Sequence, residues 1–193
     1  TNLTELDCIA IRHPFHTHPD IDVKPPKFLS FEGANVDLLL CESKSDPAQV
    51  RFNPALKTNS KALELALRWS GLIPEATLQD IVIAAMPLFA DDIPYATAQA
   101  GIVESGVRIR ALLSCPRLPA NEMTDRWCLN GGEIFRFASE CLRPAEPRAD
   151  CATRYNFEQW GWLTPIVKYI KDGQDDKPPT LDGMHEFLRR AYT

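Results

Sequence analysis

From about residue 59 the apolar positions of the chain recur with the period of a helix. Before that point they do not. Ala62, Leu65, Ala66 and Trp69 fall at i, i+3, i+4 and i+7, and Gly71 is a stop signal. Pro74 suits the first turn of a second helix reaching about Pro87, with Leu78, Ile81, Val82 and Ala85 on its inner face. Tyr95 to Leu113 is rich in alanine and carries Ile102, Val103, Val107 and Ile109, which reads as further helix interrupted by Gly101 and Gly106. After Gly131-Gly132, the residues Ile134, Phe135, Phe137, Ala138, Cys141 and Leu142 form one broad apolar face. Thr164-Pro165 looks like a cap and first helical residue, ahead of Ile166, Tyr169 and Ile170. Thr180 caps a last helix with the stripe Leu181, Met184, Phe187, Leu188 and Ala191.

The first fifty residues are punctuated differently. Asp7 to Ile11 is a short apolar run, and Pro14, Pro19, Pro25 and Pro26 then forbid regular helix. Lys27 to Glu32 alternates as a strand does, Gly33-Ala34-Asn35 is turn chemistry, and Val36 to Cys41 is a second apolar run. These features predict a β-hairpin; the competing reading makes Asn35 an N-cap and 36–43 a short helix. The expected fold is mainly α: five to six short helices in a helical domain, 55–193, behind an extended or β-hairpin segment, 1–54. It becomes α+β if the hairpin belongs to the core.

Composition adds that the chain can fold on its own core. Its 193 residues are 45% hydrophobic and 24% charged, the balance of a single ordinary globular domain. No run approaches the ~18 apolar residues of a membrane span, and no signal peptide is expected at the start. The net charge of −5 is concentrated near the start, where residues 1–50 hold four basic and eight acidic side chains. No Lys lies between Lys61 and Lys168, a stretch with nine Arg. Arg grips phosphate or carboxylate with two parallel hydrogen bonds, which Lys cannot do. Acidic residues interleave with them, so no broad basic face for duplex nucleic acid is expected. The six cysteines form no C-x-x-C pair, which argues against zinc ribbons and dithiol redox motifs. Reduced thiols, and with them a reducing compartment, are the expectation.

The densest chemistry is His13, His16 and His18 with Asp20. Imidazoles and a carboxylate at this spacing could hold zinc or another first-row metal, although no cofactor is required by any other feature. Arg108, Arg110, Arg117, Arg126 and Arg136 are candidate anion or nucleic-acid contacts, and Trp160 and Trp162 candidate partner contacts. No Walker A, G-x-S-x-G or G-x-G-x-x-G is present. The favoured expectation is therefore non-enzymatic: a protein-interaction or self-association module docking through its acidic, proline-rich N-terminal arm. One alternative is a helical coat- or nucleoprotein-like assembly protein holding single-stranded RNA through the arginines. The other is a metal-dependent enzyme using the histidines.

Overall fold

The computed structural model of the chain describes residues 6–14, 23–30, 35–119, 127–144, 157–173 and 177–191. Its architecture is α+β. Five strands form one mixed sheet, and seven α-helices stand among the described residues. The mainly α expectation is thereby corrected.

The error lies in two places. The first is the alanine-rich stretch. It begins as a helix, α4 (Tyr95–Ala100), but Gly101 ends it, and β3 (Ile102–Glu104) and β4 (Val107–Cys115) follow as a hairpin. Ser105 and Gly106 make the two-residue turn with φ of 52° and 79°, the double left-handed geometry that matches the twist of paired strands. Val107-Arg108-Ile109-Arg110 already alternates with period two, and that signal outweighs the alanines before it. The second is the N-terminal segment. Val36–Ser43 is a strand, β2, as the hairpin reading expects. Its antiparallel partner, however, is β1 (Cys8–Arg12), while Lys27–Leu29 is a single 3-10 turn.

β2 also pairs in parallel with β4 along its whole length, Val36 opposite Val107 through Ser43 opposite Ser114. The strand order is β1-β2-β4-β3, and the short β5 (Cys128–Asn130) pairs with the far end of β4. Residues 8–43 thus supply an edge strand and an inner strand of the sheet. The helices α1 (Pro54–Thr58), α2 (Ser60–Ser70), α3 (Leu78–Ala85) and α4 lie in the connection from β2 to β4. A parallel pair requires such a crossover.

The chain divides into two units, residues 1–17 with 27–130, and residues 18–26 with 131–193. In the first, the register puts Leu38, Leu40 and Glu42 on one face of the sheet with Ile109, Ala111 and Leu113. That face joins Leu56, Leu63, Leu67, Leu78, Ile81, Val82 and Phe89 in one core. Phe52 stacks on Trp127 with ring centroids 5.0 Å apart and meets Phe89 edge-on. In the second unit α5 (Gly131–Leu142), α6 (Thr164–Lys171) and α7 (Leu181–Ala191) enclose a smaller core of Leu142, Val167 and Ile170. The Tyr169 hydroxyl binds both the N–H and the carbonyl of Thr180, tying α6 to the start of α7. No helix among the described residues is long and apolar enough to cross a membrane.

Candidate functional site

A hairpin brings the start of its first strand to the end of its second. Here the residues at those two ends are charged. Asp7 stands just before β1. Its N–H donates to the Cys41 carbonyl (3.1 Å), and its Oδ2 accepts the Ser43 N–H (2.6 Å). Glu42 is the penultimate residue of β2 and is 4% exposed. Its Oε2 accepts the N–H of Asn53 (2.8 Å), whose own side chain caps α1, and its Oε1 meets the Lys44 ammonium. The Lys44 N–H donates to the Ser114 carbonyl (2.8 Å) and so anchors the lysine to the end of β4.

Two carboxylates and an ammonium therefore gather at one end of the sheet, where the parallel strands β2, β4 and β5 present their carboxyl ends. Open sheets with parallel strands bind ligands at that end, because the loops leaving it can diverge and open a crevice. Arg51, in the loop after β2, and Arg117, just past β4, are exposed and belong to loops leaving this same end. Carboxylate oxygens are hard ligands suited to magnesium, manganese or calcium.

Of the residues singled out in the sequence, Arg117 lies at this end; the other described ones are placed elsewhere. His13 follows β1 at its opposite end from Asp7; His16, His18 and Asp20 lie outside the described residues. Arg108 and Arg110 converge on Asp37 in β2. Oδ1 of Asp37 accepts from Nε of both arginines (3.0 and 3.1 Å), and Oδ2 accepts from Nη2 of both. Arg110 also donates to the Phe28 carbonyl, lies over its ring and is fully buried. Burial pulls its guanidinium below the usual arginine value, and the Asp37 hydrogen bond opposes that fall. These two arginines are held within the fold. Arg136, on α5, pairs with Glu140 one turn on (2.9 Å) and reaches the Lys24 carbonyl. Arg126 lies outside the described residues. Trp160 is half-buried against the smaller core and Trp162 is 79% exposed. Gly161 between them has a φ of 56°, which turns the chain.

Asp7, Glu42 and Lys44 escape a search for motifs because no fixed short spacing joins all three. The signal is their position at the outer ends of two apolar runs, which matters only once the runs are paired with each other. No family model matches the chain, and no curated protein or solved structure is significantly similar to it.

Proposed function

We propose that the chain is a hydrolase of phosphodiester bonds, with a divalent cation held by Asp7 and Glu42 and Lys44 beside it. The observation that supports this reading is that the Asp7 carboxylate, bonded to the Ser43 N–H, and the Glu42–Lys44 ion pair lie at the same carboxyl end of the sheet, although Asp7 and Glu42 are 35 residues apart in sequence. Each group has a role. Asp7 and Glu42 would hold the cation, which would supply Lewis-acid polarisation of a phosphoryl oxygen and activation of water near neutral pH. Water oxygen bonds to phosphorus, the bond from phosphorus to the leaving oxygen breaks, and that oxygen takes up a proton. The Lys44 ammonium offsets the charge that grows on the phosphoryl oxygens. The exposed basic side chains of Arg51 and Arg117 favour a polyanionic substrate, single-stranded nucleic acid above all.

The full chain is tested on labelled single- and double-stranded RNA and DNA with magnesium or manganese, with and without a chelator. Cation-dependent cleavage is expected. Glu42→Gln and Lys44→Met should each lower its rate by about 10²-fold or more, the usual effect of removing a group that meets developing charge. No cleavage of any of the four substrates, or a Glu42→Gln protein as fast as wild type, rejects the reading.

A second reading, a protein-interaction module, is favoured by Trp69 and Trp162, each 79% exposed. Aromatic anchors dominate protein interfaces. Self-association lost in both Trp→Ala variants, with nuclease activity absent, would select it.

A further inference from the structure

We propose that Cys8 and Cys41 form a reversible intramolecular disulfide, making the β1–β2 hairpin an oxidation site. The two residues are direct partners in the antiparallel ladder. Opposed residues in such a ladder hold their Cα atoms about 4.5–5.5 Å apart, inside the ~4.4–6.8 Å that a disulfide spans. Their side chains leave the sheet on the same face. Both are free thiols in the structure. Cys115 and Cys128, by contrast, are buried and face Asn130 and Leu113 in their own ladder.

The two thiols are unequal, and this orders the chemistry. Cys8 is exposed on the edge strand. Cys41 is half-buried. An oxidant in solution reaches the exposed thiol before the half-buried one, so Cys8 reacts first. With a hydroperoxide as oxidant, the Cys8 sulfur attacks an oxygen, the O–O bond breaks, and the departing alkoxide or hydroxide takes a proton. Cys8 is then a sulfenic acid. The Cys41 sulfur attacks the Cys8 sulfur, the S–O bond breaks as the S–S bond forms, and the Cys41 proton leaves with the hydroxide as water. Two thiols are oxidised by two electrons, and one peroxide is reduced to water and an alcohol (or a second water). The bond would fix the hairpin beside Asp7 and Glu42, but the inference stands whether or not that site is hydrolytic.

The full chain is treated with a modest excess of hydrogen peroxide, alkylated without reductant, cleaved after Arg and Lys, and mapped by mass spectrometry. Arg12 and Lys27 separate the two cysteines, so the disulfide gives a cross-linked pair of peptides that dithiothreitol splits. That pair is expected, with two alkylatable thiols lost and a melting temperature higher than that of the reduced protein. Cys8→Ser, at an exposed position, should abolish the cross-link and the shift in melting temperature. Cys41 still alkylatable while Cys8 is carried to the sulfinic acid overturns the proposal. So does a map in which Cys8 is bonded to any other cysteine.

Discussion

Asp37 holds two guanidiniums on one carboxylate in the middle of the sheet, and it is 1% exposed. A buried ion pair gains little over a well-packed apolar pair, because two charges must leave water. Removing one partner is far worse, since the other is stranded. Asp37→Ala would leave Arg110 fully buried with no carboxylate against it. The expected cost is about 3–5 kcal/mol, read as a lower urea midpoint at unchanged slope. Glu64 on α2 behaves differently. Hydrogen bonds from Lys61 and then Gln79 hold its carboxyl below the usual glutamate value of 4.5, with Arg68 adding to the effect. A carboxyl more acidic in the folded protein stabilises it above the unfolded value, and that contribution fades as pH falls through the folded one. Wild type should therefore exceed Glu64→Gln in stability at neutral pH. The gap should close below about pH 4.5, as thermal melts at a series of pH values would show.

The β3–β4 hairpin depends on one backbone position. Gly101 has a φ of 65° and a ψ of −160°, a region open essentially to glycine alone. A Cβ there would sit 2.2 Å from the Ile109 carbonyl oxygen and 2.6 Å from Cγ of Arg110. Backbone strain alone costs about 1–3 kcal/mol, and β4 cannot retreat because β2 pairs along its other edge. Gly101→Ala should therefore cost more than this strain, measured by chemical unfolding, while Gly71→Ala, in open space, should cost only the strain. The same glycine explains part of what the sequence conceals. The cap, the turn and the alternation of β4 are all present in it. A run of alanines reads as helix until the two glycines are taken as the end of one element and the turn of the next. β2 was legible, since its apolar run follows clear turn residues. Its partner was not: Cys8–Arg12 and Lys27–Glu32 are both short and apolar in part, and only tertiary pairing chooses between them. For the same reason the sequence offers Asp7, Glu42 and Lys44 as three unrelated charges.

For the whole molecule, stability should be uneven. The larger unit has Leu38, Leu40, Ile109 and Leu113 fully buried in paired strands. Among the described residues the core of the smaller is Leu142, Val167 and Ile170, and α7 buries none of its residues. Opening free energies follow burial and hydrogen bonding. Amide hydrogen exchange should be slowest in Val36–Ser43 and Val107–Cys115 and fastest, among the helices, in Leu181–Ala191. Equal protection throughout would mean that the two units unfold as one.

The parallel pairing of β2 with β4 also sets a schedule for the nascent chain. Leu38 faces Ile109 across that pair, 71 residues later in sequence. At ~5–20 residues per second, a ribosome needs about 4–14 s to deliver β4 after β2. For that interval the β1–β2 hairpin stands outside the exit tunnel with one edge unpaired and Leu38 and Leu40 uncovered. Such an edge is the kind on which other chains add strands. Synthesis rate between the codons for Lys44 and Val107, and chaperone supply during it, should therefore govern the yield of native protein more strongly than either does later in the message.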